Sequence, residues 1–290
     1  MSLQVLIYQG LVGVSAAMYL WLLSAGLTIV FGVMGVLNFA HGAFFMIGAY
    51  LAYTFYGMYG LSFPVAIVLS LVGTGLIGLV VERFFLRPVY GLDHSFQLLL
   101  TFGLVLIFDD LVKAAWGGVF MIPPMPRFFE GAVWVLGMPF PVYNLFVIAA
   151  GLAVWAGLWL LFEKTWWGKL VRATAADREM AAAMGLDVRR IFATVFALGV
   201  MLAALGGALG TPVRVAAPGI GTYMIVQAFI VTVIGGLGSL TGAFVGALLV
   251  GVLNSYGTLL FPTVELALIY LIMAAVLLWK RQGLFGREQA

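Results

Sequence analysis

The first 81 residues, Met1 to Val81, contain no Lys, Arg, Asp or Glu. So long an apolar run is insoluble in water but suits a bilayer, which a helix crosses with ~20 apolar residues. The rest of the chain agrees: it is 64% hydrophobic and 9% charged, against ~25% charged for a soluble domain. The predicted fold class is therefore an all-α polytopic membrane protein. A transmembrane barrel is excluded, because barrels alternate polar and apolar residues over ~10-residue segments. The absence of cysteine excludes disulfides, thiolate nucleophiles and Cys-based metal sites. Two histidines, His41 and His94, leave too few ligands for any other metal site, and none is expected. The net charge of +3 carries no nucleic-acid signal, since the basic residues sit where membrane topology wants them.

Within the uncharged run, Phe31 to Tyr50 is the most informative stretch. It places Asn38 and His41 among Gly32, Gly35, Gly42 and Gly48. Glycine loosens a helix by roughly 1 kcal/mol relative to alanine. Freed backbone groups at membrane depth are tolerated only against protein or a water-lined cavity. The pattern predicts an interrupted span with polar groups at the interruption. A glycine-rich packing face around one buried histidine is the plainer alternative.

In order, the apolar segments run Leu3 to about Phe31, about Phe39 to Met58, Phe63 to Val81, Phe96 to Trp116, Val142 to Phe162 and Ile191 to Gly210. The region from Thr222 to Trp279 is broken at Gly235 to Ser239 and again near Gly257 to Pro262, and divides into helices at about 223–236, 240–256 and 263–280. The first of these is short for a crossing, hence re-entrant or tilted. In the Phe96–Trp116 segment, Asp109 and Lys113 are spaced i, i+4 for pairing. Prolines forbid a continuous helix in Gly117 to Pro141, where Ala132 to Leu136 forms one arm of a small hairpin.

Lys and Arg then set orientation. The 163–190 loop has six, the tail three (Lys280, Arg281, Arg287) and the 82–94 loop two, while 117–141 and 211–221 have one each, Arg127 and Arg214. Basic loops stay cytoplasmic, so 82–94, 163–190 and the tail lie inside and the other two outside. The count is eight or nine hydrophobic helices, some interrupted or re-entrant. The N-terminus is outside if all three early segments cross. One transmembrane domain, 1–290, accounts for the whole chain.

An internal repeat links the two interruptions. Gly35-x-Leu37-(x4)-Gly42-Ala43-Phe44 matches Gly235-x-Leu237-(x4)-Gly242-Ala243-Phe244. Paired glycine-interrupted segments in two halves point to a transport site near the bilayer midplane. Asn38, His41 and Gly42 are the expected lining of that path, with Gly238 and Ser239 as counterpart. Exposed carbonyls there would meet an ammonium, and half-helix N-termini a carboxylate.

Catalysis has little support. Gly168-Lys169 is followed by Leu170 and lacks the spacing of a phosphate loop, so the chain does not hydrolyse ATP by that route. A serine hydrolase would have only Ser239 and His41 to work with. A transport subunit is expected rather than an enzyme. An ion-coupled secondary transporter of small polar solutes is the alternative, and it would rely on Asp109, Asp110 and Glu265. On the inside loop, Glu179 to Gly185 reads as a short helix stopped by glycine, a docking element for a soluble partner.

Three stretches together resemble the branched-chain amino acid ABC permeases, in particular the LivH-type subunit: Phe31 to Tyr50, the Gly185 loop, and Ile234 to Phe244. Asn38-Phe-Ala-His-Gly42 and Gly235-Gly-Leu-Gly-Ser239 carry most of the likeness. Glu179-Met180-Ala181-(x3)-Gly185 is similar to the loop through which ABC permeases contact their ATPases, with Met180 in place of an alanine. The resemblance implies a complex with a LivM-type permease, LivG- and LivF-type ATPases and a periplasmic binding protein, in the inner membrane of a bacterial cell. It implies import driven by ATP used on those partners, with no cofactor bound by this chain. Membrane lipid would surround it. Glu179, Ala181 and Gly185 would carry the coupling contact.

Overall fold

The computed structural model describes residues 2–263 and 265–286. Arg287 and the side chain of Glu265 lie outside the described residues. The architecture is helical, built around α1 (Leu3–Met34). This helix is apolar on every side, and a helix with no polar face must be covered all round. Ala17 through Val30 are accordingly buried without a gap. Around α1 stand α2 (His41–Ala52), α5 (Val142–Lys164), α8 (Val188–Gly210), α9 (Ile220–Gly235) and α10 (Leu240–Leu260). Outside them lie α3 (Phe63–Val81), α4 (His94–Trp116) and α11 (Glu265–Trp279), with α6 (Trp166–Ala176) and α7 (Arg178–Ala183) in the basic loop. The α3 helix leaves Val65, Val68, Val72 and Leu76 exposed, the surface a lipid-facing helix presents.

Five helices among the described residues are long and apolar enough to cross a membrane: α1, α3 with its continuation to Val89, α5, α8 and α10. The fold is thus an all-α polytopic membrane protein, apart from one hairpin. In it β1 (Ala132–Val135) pairs antiparallel with β2 (Met138–Pro141), around Leu136 and Gly137, both at positive φ. The hairpin arm stands where proline and glycine spacing put it.

The helix ends form two groups. At one end Tyr256 donates to the Leu6 carbonyl at 2.7 Å, Met121 bridges to Ala216, and the Tyr8 hydroxyl reaches the Pro139 carbonyl. At the other, the tail donates from Leu284 to the Ile234 carbonyl and from Phe285 to the Gly235 carbonyl. The second group also holds the 82–94 and 163–190 loops, which border one cavity with the end of α1.

The structure corrects the sequence reading in four places. The first helix continues past Phe31 to Met34, and the second begins at His41 rather than Phe39, so the interruption is Gly35 to Ala40. The second helix closes in a π-helical turn, Tyr53–Met58. The last break starts after Leu260 instead of at Gly257. Lys113 pairs with Asp110 at 3.0 Å, one turn away at i, i+3, and not with Asp109. The three-residue spacing wins because Asp110 and Lys113 share the exposed face of α4, while Asp109 turns an oxygen inward.

Candidate functional site

The first interruption begins where α1 ends. Gly35 takes the left-handed conformation at φ 68° and its N–H caps the Phe31 carbonyl. A residue with a Cβ resists that conformation, so the helix stops here. The chain then leaves helical structure and turns back toward the bundle centre. His41, the first residue of α2, lies beside Gly26, where a Cβ would sit 2.7 Å from its Nε2. Gly26 is eight residues before the end of α1, about 12 Å back along the helix. The return leg is therefore part irregular and part helical, an interrupted span.

Along that leg side chains alternate: Val36, Asn38 and Ala40 are buried, while Gly35, Leu37 and Phe39 are half-buried. Asn38 is 1% exposed and His41 0%. Neither end of the Asn38 amide has a hydrogen-bond partner, and neither ring nitrogen of His41 makes a hydrogen bond of ordinary geometry. The Leu23 carbonyl is the backbone group facing the ring. The predicted path residue Gly42 has a packing duty as well: a Cβ there would collide with the Gly221 carbonyl on α9.

The second interruption begins where α9 ends at Gly235. Gly236 and Gly238 hold positive φ, 104° and 81°, and α10 starts at Leu240. Ser239 caps α10, its hydroxyl accepting the Gly242 N–H at 3.1 Å. The last turn of α1, just before the first interruption, touches the second: a Cβ on Gly32 would lie 3.0 Å from the Gly238 Cα. The repeat seen in the sequence thus corresponds to two helix breaks that border one cavity, through Gly35 and Gly238.

Below them opens a cavity of about 890 Å³. Its walls are Phe31 to Gly35, the Leu237-Gly238 turn, Tyr90 to Leu92 with His94 and Gln97, and Thr174 to Glu179. A second cavity of about 510 Å³ shares Gly32, Gly238, Ala175 and Ala176 and adds Ser239. Gly238 and Ser239 therefore line open space, whereas Asn38 and His41 lie in the core above it.

Glu179 and Gly238, chosen from the sequence for different reasons, line the same cavity. Ala181 is buried at 5% and anchors α7, and Gly185 ends it at φ 86° with open space around it. Sequence reasoning missed Asp177, whose Oδ1 accepts the N–H groups of Glu179 and Met180, each at 2.9 Å. Its position before Arg178-Glu179 is the N-cap signal. Replacing Asp177 with alanine should cost about 1 kcal/mol. Amide exchange across Glu179 to Met184 should then rise about fivefold. Unchanged exchange would mean that the cap does not hold α7.

Also missed was Glu82. Its carboxylate is 1% exposed, and it accepts from the Arg87 Nε at 3.2 Å and Nη2 at 2.9 Å, and from the Tyr90 hydroxyl at 2.7 Å. Burial, then the hydrogen bond to Glu82, raises the Tyr90 phenol above its ordinary range. This cluster ties the end of α3 to the loop that walls the larger cavity.

A helical bundle around a buried, mostly apolar central helix, with two helix breaks bordering one cavity, is the build of a multi-pass membrane transport protein. The chain belongs to the family described as branched-chain amino acid transport system, permease component, whose profile matches residues 11–278. It is 31% identical over 281 residues to the high-affinity branched-chain amino acid transport system permease protein BraD of Pseudomonas aeruginosa, covering 92% of each chain. It is 27% identical over 286 residues to the LivH permease protein of Salmonella typhimurium, covering 92% of this chain and 91% of that one. Among solved structures, PsaBC from Streptococcus pneumoniae in complex with Fab matches with a TM-score of 0.53 at 12% identity, over 96% of this chain and 92% of that chain. That last likeness is one of fold. The LivH-type resemblance read from the residues is thereby shown.

Proposed function

We propose that the chain is one permease subunit of an ATP-driven importer of branched-chain or similar hydrophobic amino acids. It works in a bacterial inner membrane beside a LivM-type permease. LivG- and LivF-type ATPases bind at the 163–190 loop, and a periplasmic binding protein delivers the substrate on the opposite side. The two groups of helix ends support nine passes with the N-terminus outside: the return leg through α2 counts as one, and α9, α10 and α11 supply the last three.

One observation carries the mechanism. The coupling helix α7 and the second break share a cavity, through Glu179 and Gly238. Movement of α6 and α7 on ATPase closure therefore changes the cavity wall beside Gly238 without passing through a long relay. The path proposed above that cavity uses Asn38, His41 and Gly42 on one side, and Gly238 and Ser239 on the other. Glu179, Ala181 and Gly185 form the coupling contact.

The test is ATP-dependent leucine uptake in vesicles holding the co-expressed complex and its binding protein, wild type against Gly185→Arg. Gly185 sits at a backbone angle that L residues resist, and an arginine would project into the space the partner needs. Uptake should fall at least tenfold while the complex still assembles. Uptake that persisted without ATP and followed a proton gradient would overturn the reading in favour of an ion-coupled carrier.

A further inference from the structure

The turn between α1 and α2 holds an unusual concentration of unpaired polar groups. Among the described residues, the N–H groups of Val36, Leu37, Asn38, Phe39 and Ala40 make no backbone hydrogen bond. Both polar atoms of Asn38 are buried and unpaired. Buried backbone and side-chain polar groups are nearly always satisfied by protein, water or ligand, and at membrane depth the cost of leaving them open rises. A run of five donors without backbone partners thus stands beside an orphaned amide.

The sign of its ligand follows from the helices that flank it. The α2 helix begins at His41 in the bundle interior and points its positive end at the turn. The α1 helix ends at Met34 and presents its negative end at the foot of the segment. The α2 end therefore suits an anion and the α1 end a cation. Leu37 and Phe39 are half-buried, and Gly35, two residues before Leu37, lines the larger cavity. The Phe39 ring, next to Asn38 in the chain, meets Phe229 of α9 at 4.8 Å.

Resting on the import reading, we propose that residues 36–40 bind the α-carboxylate of the transported amino acid. The free N–H groups and the Asn38 amide would act as donors, and the Phe39–Phe229 pair as an apolar cover for the substrate's aliphatic side chain. The substrate's ammonium faces the α1 end. Phe39 and Phe229 must part for the substrate to pass.

The chain contains no cysteine, so single cysteines report without interference. In vesicles with the assembled importer, Leu37→Cys is exposed to an anionic sulfonatoethyl and a cationic trimethylammonioethyl methanethiosulfonate. Val72→Cys, on the exposed face of α3, is the reference. The anionic reagent should react with Leu37→Cys at least tenfold faster than the cationic one. Leucine turned over with binding protein and ATP should slow it at least fivefold. Adding Asn38→Asp should lower the anion-to-cation ratio at least tenfold.

A Leu37→Cys no more reactive than Val72→Cys, or one that favours the cation, overturns the proposal. So does a lack of protection by leucine in vesicles that accumulate it. Wild-type vesicles that fail to accumulate leucine with ATP overturn the import reading instead, and the charge ratio at Leu37→Cys still decides whether the turn prefers anions.

Discussion

Replacing Gly207 with leucine should remove the folded protein from the membrane, while Gly157→Leu should leave its yield within about twofold of wild type. Both glycines lie inside apolar helices, so composition does not separate them. At Gly207 a Cβ would collide with the Phe45 carbonyl and lie 3.0 Å from the Ala49 nitrogen, so the obstacle is the backbone of α2. At Gly48, on the facing side of the same crossing, a Cβ would sit 2.6 Å from the Ala204 carbonyl oxygen. Small residues at membrane helix crossings let backbones approach closely, and that packing holds such bundles together in the absence of a hydrophobic drive. An overpacked site with movable side chains costs ~1–3 kcal/mol, and here no side chain can yield. The α2 helix would have to leave α8 and take the interrupted segment before it along. Gly157, in contrast, is exposed on α5 with nothing near its Cβ position. Monodisperse protein recovered after detergent extraction measures the difference. Equal recovery of both variants would show that the α2–α8 crossing does not depend on close approach.

The same pair explains which parts of the fold were legible in the sequence. Segments of uniform apolarity, with charges gathered in loops, locate helices to within a few residues, as for α3 and α5. Breaks are legible where glycines cluster with polar residues, as at Asn38 to Gly42 and Gly235 to Ser239. Their edges are not, because Phe31 to Met34 is apolar and helix-competent until Gly35 turns left-handed. Which glycine sits at a crossing is also hidden. Spacing points to Gly206 and Gly210, four residues apart, whereas the packed partner selects Gly207 between them for the tightest fit.

Of the site, the two breaks and the coupling helix could be read, because each leaves a local mark in residue type. Their arrangement in space could not, since the approach of the α1 end at Gly32 to Gly238 and the shared cavity of Glu179 and Gly238 depend on how distant segments pack. Asp109 shows the opposite failure. Spacing alone paired it with Lys113, but helix orientation gave that lysine to Asp110. Glu82 was hidden for a third reason: beside Arg83 in a basic loop it resembles any interfacial acid. Nothing local indicates that it is almost fully buried.

That burial makes the effects of the Glu82 cluster asymmetric. Arg87 is 32% exposed and Glu82 only 1%. Removing the carboxylate with Glu82→Gln leaves a guanidinium that can turn to water, a loss of about 2 kcal/mol from charge-assisted hydrogen bonds. Removing the guanidinium with Arg87→Met leaves a buried carboxylate served by Tyr90 alone, which should cost about 3–5 kcal/mol. The double variant should be less damaged than Arg87→Met, because no charge is then stranded. Thermal midpoints of the purified protein, taken at pH 7 to 9, give the order. The raised Tyr90 phenol sets the upper limit of that window. Its contribution is complete below the ordinary tyrosine value of about 10 and is lost as pH climbs through its higher folded value. If Arg87→Met proved the milder single variant, the carboxylate would be reaching water by another route. The 87–94 loop, and with it the cavity wall opposite α7, would then be held by packing alone.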